Sequence, residues 1–583
     1  MNVLAGRHWP RVVFVLALLW APQAVALELR LDPTGLDATQ QAQARALVTQ
    51  VQARLPATWQ ADPRRLPLRF DPALPAGVVG HHRAGQLWLA PSVLGQPPDA
   101  AGRDPAQAAL IHEIAHALDR DGGRWSSDRE FRRLAGWDRL GSHNAYTLRS
   151  PDRYEHHSPA ESFAVNLEWF LLDPRYACRR PLLARWFGER FGPPPAQPAC
   201  AAAQPWLAAS VGQGQMQVEW IDPARVYAVD YLLADSGGPP MSRFGHSMVR
   251  LVICAEGRPL GERCRMDLAE HRVLSFRAFV DDVQVSSWRG LTGGYPSRLF
   301  LLPLTSVIDE YNRVELRDLR AWPLALDRQQ IADLLASAAG LHWRYDGAYS
   351  FIGNNCAVET GRLLDTAFDP AGGSHYRNTF PRGVLRQLLA DGLAAPQAFD
   401  DPAAATAQGR LFVSARQEYR LLLARLHAAG QVPALPLERW LDAPARMRGT
   451  IPAEPTLEQA AAWLVLEQAA LRRRQLRALQ ALRPQLADTP ALAGAVAGWL
   501  GWLQRLDAPG RLPVTGYGLP QAQELAQAPL AELLAQGPAH WQQLQQQAEA
   551  ALPAAQREQL QRSRERVAQL SQQVRVLAAA GAR

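Results

Sequence analysis

The spacing of apolar positions changes character along the chain. Leu27 to Leu31 alternates apolar and polar residues, the period of a half-buried strand, and Asp37 to Leu55 carries its apolar residues at helical spacing. Leu66–Phe70 and Gln86–Ala90 read as further strands, the second flanked by Gly85 and Pro91. A helix is predicted next, with Asp104 as its cap and Pro105 at its first position. The proline-rich stretch Gly192–Pro198 closes this first domain, which spans residues 27–205. A second block, residues 220–370, holds strands over Val226–Ala234, His246–Cys254 and Arg272–Val280, with Gly257 and Gly261 turning the chain after the second of them. Helices follow over Asp327–Ala339 and Ala357–Thr366. Residues 400–583 are helical throughout and rich in Leu, Ala, Gln and Arg. Leu457, Leu464 and Leu471 recur at heptad spacing, as do Leu560, Val567 and Val574, with Leu570 and Leu577 on a second seam. Pro553 divides the tail into two helices. These stripes predict packing on the other domains or a helical hairpin, with a coiled-coil dimer as the alternative. The fold class is multidomain α+β with a helical C-terminal region.

Residues 1–26 change the setting. Arg7 and Arg11 precede an apolar run, Val12–Trp20, too short to span a bilayer, and Ala24-Val25-Ala26 is a small-x-small cleavage site. This is the pattern of a signal peptide cleaved near Ala26/Leu27, and it predicts a periplasmic protein. No later segment is long enough to span; Ala491–Leu503 comes nearest and is interrupted. Export makes the five cysteines informative, because an oxidising compartment favours pairing. Spacing favours Cys178–Cys200 and Cys254–Cys264, which leaves Cys356 as the free thiol. The net charge of +7 is dilute over 583 residues, and every basic residue is arginine. No stretch is basic enough for a nucleic-acid site, so the arginines read as coding bias rather than as phosphate contacts.

Two patterns carry chemistry. The first is HEIAH. Residues four apart share one helix face, so His112 and His116 can ligate one zinc ion, and Glu113 beside them can act as general base. An open catalytic site needs a third protein ligand, and no histidine follows at close spacing. Glu161, in SPAESFAVNLEWF, is the expected ligand. Ser158, Pro159 and Glu161 also form a capping box, which gives Glu161 a competing role. Asp119 is the second choice, better suited to orienting a histidine. Tyr154 or His157 could stabilise an oxyanion, although both read more simply as loop residues. HEIAHALD with SPAESFAVNLEWFLLDP resembles the MtfA-like peptidases among the gluzincins. That resemblance implies a zincin-like domain with zinc on His112, His116 and Glu161 and catalysis by Glu113.

The second pattern is Cys356, which follows Gly353-Asn354-Asn355 and opens a helix. A sulfur near the positive end of a helix dipole is expected to have a lowered pKa. His246, beginning a strand, is the candidate base, and Ser275 on the next strand a candidate to orient it. The alternatives are a buried inert thiol and a structural histidine. The segments SGGPPMSRFGHSMVRL, GGYPSRLFLLPL, EYNRVELRDL and YDGAYSFIGNNC occur in that order. They resemble the periplasmic domain of the Lnb-type lipoprotein N-acyltransferases, itself similar to the permuted papain-like fold of lecithin:retinol acyltransferase and the NlpC-type cell-wall peptidases. The resemblance implies Cys356 as a nucleophile forming a thioester and His246 as general base. Lnb-type enzymes carry membrane-spanning segments after this domain, whereas polar helices follow it here. The implied partners are an envelope lipid, lipoprotein or peptide substrate, with peripheral membrane contact and no nucleic acid. The readings to separate are an acyltransferase or amidohydrolase joined to a zinc peptidase, a cell-wall peptide hydrolase, and an inactive envelope scaffold.

Overall fold

The computed structural model describes residues 27–99, 102–137, 144–150, 152–193, 198–210, 215–237, 243–279, 294–351, 353–369, 371–396, 399–482, 489–506, 509–512 and 516–581. The signal segment expected over residues 1–26 lies outside them. The chain divides into two compact units, residues 1–117 with 188–194, and residues 118–187 with 195–583.

In the first unit, β1 (Glu28–Asp32), α1 (Ala38–Arg54), β2 (Arg65–Phe70), β3 (Gly80–Arg83), β4 (Gln86–Leu89) and α2 (Pro105–Leu118) follow the predicted order. β3 was not foreseen. The sheet runs β1-β2-β4-β3; β1, β2 and β4 are parallel, and β3 is an antiparallel edge strand on β4. Alternation in β2 buries Leu66, Leu68 and Phe70 and exposes the residues between them. Asp37 caps α1 through a two-way box with Gln40. Asp104 caps α2 as expected, its carboxylate accepting from the amides of Ala106 at 2.8 Å and Gln107 at 3.2 Å. Leu110, Ile111, Ile114 and Ala117 of α2 are fully buried, which fixes the rotation of that helix.

The second unit contains α3 (Pro159–Leu172) and a sheet in the order β13-β11-β7-β8-β9-β10-β5-β6, with β12 paired to β10. Its strands are β5 (Gln204–Ser210), β6 (Gln215–Ile221), β7 (Val226–Ala234), β8 (His246–Ile253), β9 (Arg272–Ala278), β10 (Tyr295–Pro303), β11 (Leu319–Pro323), β12 (Gly347–Tyr349) and β13 (Leu411–Phe412). The three predicted strands are its centre. β5, β6 and β10–β13 went unpredicted, although Met216, Val218 and Trp220 in β6 alternate with Gln and Glu. α4 (Arg328–Arg344) and α5 (Cys356–Phe368) cover one face. Odd-numbered residues of β7 and β8, such as Tyr231, Leu233, Val249 and Leu251, enter that core. Even-numbered Leu232, Ala234 and Met248 enter the core on the opposite face with Val273 and Tyr311. α6 (Pro381–Ala390) follows, its buried residues being Pro381, Gly383, Val384, Leu385 and Leu388.

The C-terminal helices include α7 (Leu457–Leu482), α8 (Pro490–Arg505), α9 (Gly537–Ala551) and α10 (Ala554–Gly581), with the break at Pro553 as predicted. α7 and α10 pack on each other. Leu560 and Leu570 of the α10 stripes are buried, Leu464 and Leu471 of α7 are half-buried against the cores, and Leu457 is exposed. Trp463, Leu466, Glu467 and Ala470 of α7 are fully buried beside them. Among the described residues, no helix is long and apolar enough to cross a membrane. The disulfides Cys178–Cys200 and Cys254–Cys264 form as spacing predicted, and Cys356 is free and buried.

Candidate functional sites

α2 places His112 and His116 one turn apart, with their Nε2 atoms 3.0 Å from each other. Two lone pairs aimed at one tetrahedral ion at zinc–nitrogen distances of about 2.0–2.1 Å stand roughly 3.3 Å apart. The two imidazoles therefore fit one small cation. Both rings keep partial exposure, while Glu113 between them is buried. The Glu113 carboxylate lies against the backbone of the edge strand. A Cβ added to Gly80 would stand 2.8 Å from Leu89 Cδ2, 3.0 Å from Glu113 Oε1 and 3.1 Å from its Cγ, so a side chain there would crowd both Leu89 and the acid.

Glu161 lies in the first turn of α3, in the second unit. The Ser158 hydroxyl accepts from its amide at 3.2 Å. That bond uses the Glu161 backbone, so capping and ligation draw on different atoms of one residue. The start of α3 is anchored by a buried network. Arg180 pairs with Glu155, which also accepts from Ser150 Oγ at 2.7 Å and from Asn166 Nδ2 at 3.1 Å. The Arg180 charge and these bonds outweigh burial and hold the Glu155 carboxyl down at about 2. Asp119 is committed elsewhere, accepting from Ser126 N at 2.9 Å and Ser126 Oγ at 2.6 Å. Tyr154 is exposed and meets His157 edge-on.

The second site differs from its sequence reading. Asn355 caps α5 as predicted and Cys356 opens the helix. Ser247 (through backbone and side chain), Tyr349 and the Ala357 amide each act to lower the pKa of the buried thiol. Cys356 N donates to Tyr349 Oη at 3.4 Å, and Ser247 Oγ donates to Thr360 Oγ1 at 3.5 Å. Tyr231, on the same sheet face as Ser247, donates to Pro381 O at 2.7 Å. His246 begins β8 one residue earlier and turns to the other face. Its Nε2 pairs with Ser275 Oγ at 3.0 Å and its ring stacks on Tyr311. Among the described residues, no hydrogen bond joins the His246 ring to the Cys356 thiol. Dense packing around the imidazole, with the Arg277 and Arg317 charges, lowers its pKa to about 3, so the ring is neutral at physiological pH. The Cys356 pKa is raised rather than lowered, because burial outweighs Ser247, Tyr349, Ala357 and the helix N-terminus. The serine that orients His246 was foreseen. Ser247 and Tyr349 were missed, although alternation along β8 makes Ser247, not His246, share a face with Val249 and Leu251.

A comparison with curated proteins and with solved structures finds no match. Residues 123–200, which include α3 and the Cys178–Cys200 disulfide, match the family described as domain of unknown function DUF7844. Residues 215–390, the span that holds His246, Ser247 and Cys356, match the family of the Lnb N-terminal periplasmic domain, a match that fits a periplasmic protein.

Proposed function

We propose that this periplasmic envelope protein hydrolyses peptide bonds at a zinc site built on His112 and His116, with Glu161 as the third ligand that the sequence resemblance implies. The observation that carries the reading is the pair of imidazole nitrogens 3.0 Å apart on the helix that also presents Glu113. A bound zinc ion supplies Lewis-acid polarisation of a carbonyl and acidifies water. Glu113, buried and braced against Gly80, takes the proton of the attacking water and returns it to the leaving amine. β3 is the edge of its sheet, and its outer backbone groups suit an extended peptide lying beside Glu113. Mature protein purified without chelator is expected to carry one zinc ion per chain by plasma emission spectrometry, and His112→Ala to carry none. Metal-free wild-type protein after growth in zinc-supplemented medium overturns the reading.

A second reading is favoured by the family match and by the place of Cys356 at the start of α5. Here the Cys356 sulfur attacks an ester carbonyl of the lipid, the thioester C–S bond forms as the ester C–O bond breaks, and the thiol proton leaves on the released alcohol; His246 and Ser275 support the fold rather than the proton transfer. Incubation with a diacylated lipopeptide is expected to leave a hydroxylamine-sensitive acyl group on Cys356, seen by mass spectrometry. An unmodified Cys356 under conditions that consume the lipopeptide excludes it.

A further inference from the structure

Phe244 and Phe380 are exposed, at 59% and 50%, yet their rings meet with centroids 5.4 Å apart. Two large apolar rings held together in water form a small patch rather than scattered surface residues. Phe380 directly precedes α6, and α6 forms one wall of a groove of 520 Å³. The groove's apolar lining is Leu233, Trp322, Leu385 and Leu389. Its charged lining is Arg320, Arg382 and Arg386 against one acid, Asp235. Asp235 pairs with Arg320 at 3.3 Å and lies 3.9 Å from Arg382, while Arg386 is exposed one turn further along α6. Leu233 is the cross-strand neighbour of Ser247, whose hydroxyl donates to Thr360 of α5, so the groove begins beside the strand position that faces the helix opened by Cys356.

We infer that this face docks on an anionic lipid bilayer, with the Phe244–Phe380 pair entering the headgroup layer, the arginines meeting lipid phosphates and the groove receiving one acyl chain. Three guanidinium groups against one carboxylate select a negatively charged surface, and guanidinium forks match phosphate oxygens. Aromatic rings at the level of the headgroups supply the apolar part of the attachment. The inference goes beyond both active-site readings, and its readout is binding rather than turnover.

The test is flotation of the mature full-length protein with vesicles of phosphatidylcholine alone or with about 30 mol% phosphatidylglycerol. Binding is expected only to the anionic vesicles and is expected to weaken as salt rises from about 0.1 M to 1 M. Arg382→Gln with Arg386→Gln should weaken it about 30-fold, at roughly one tenfold-or-less step per arginine. Phe244→Ser with Phe380→Ser should weaken it by about tenfold or more. Both pairs are exposed side chains, and matching thermal melts will show that the variants fold. Equal binding to neutral and anionic vesicles, or unchanged binding by the folded variants, overturns the inference. So does vesicle-independent dimerisation abolished by the same substitutions, which would assign the face to a second copy of the chain.

Discussion

Replacing Glu467 by glutamine is expected to destabilise the helical region by about 3–5 kcal/mol, the range for removing one partner of a buried ion pair. Glu467 and Arg448 are both fully buried. Arg448 Nε donates to Glu467 Oε1 at 3.1 Å, Arg566 Nε donates to the same oxygen at 2.9 Å, and Arg448 also reaches Ser563 Oγ at 3.2 Å. One carboxylate is thus shared by two guanidinium groups brought together from α10 and from the loop before α7, and the cluster keeps one net positive charge. Glutamine keeps the shape and removes the charge, leaving the two cations without that counter-charge. The urea unfolding transition reported by tryptophan fluorescence is expected to move to lower denaturant, since Trp440 and Trp463 pack in this core. Arg448→Met combined with Glu467→Leu should recover much of the loss, because a packed apolar pair has no charge to desolvate. A loss below about 1 kcal/mol for Glu467→Gln would put the pair in the class of surface bridges.

The second large effect concerns Glu113. Glu113→Gln is expected to leave zinc content unchanged and to lower peptide hydrolysis by about 10²–10⁴-fold, the usual contribution of a positioned general base. The glutamine occupies the same space beside Gly80 but cannot accept a proton. Zinc stoichiometry and turnover of a fluorogenic peptide library separate this role from ligation. Loss of metal together with activity would make Glu113 a ligand, and retained activity would remove it from the reaction.

Much of the fold was legible where one physical signal dominated. β7 matches its predicted bounds, Val226–Ala234, and the caps at Asp104 and Asn355 act where the sequence places them. Legibility failed where two signals competed. β8 is buried on both faces after His246, so its alternation carries no polar half from which to read direction. Arg250 of β8 and Asp230 of β7 are charged yet fully buried; Asp230 pairs with Arg265 at 3.0 Å and lies 3.3 Å from Arg250, which also donates to His271 Nδ1 at 2.9 Å. No linear pattern announces such a pair. The helix start at Cys356 was correctly placed, but its electrostatic consequence was not, because the sequence shows the dipole and hides the desolvation. The heptad leucines of α7 describe its inner face only in part: Leu464 and Leu471 are half-buried, while Trp463, Leu466 and Glu467, the last paired with Arg448 and Arg566 from distant segments, are fully buried beside them.

Gly80 offers a way to sort sequences related to this one. A side chain at that position would press first on Leu89 and then on the acid, so space at residue 80 bears on both the sheet edge and the base at residue 113. A relative that keeps the HEIAH helix but carries a bulky residue in place of Gly80 is expected to have moved or idled its glutamate, whatever its metal content. A single alignment column beside the motif would then separate hydrolases from retired scaffolds where the motif alone cannot.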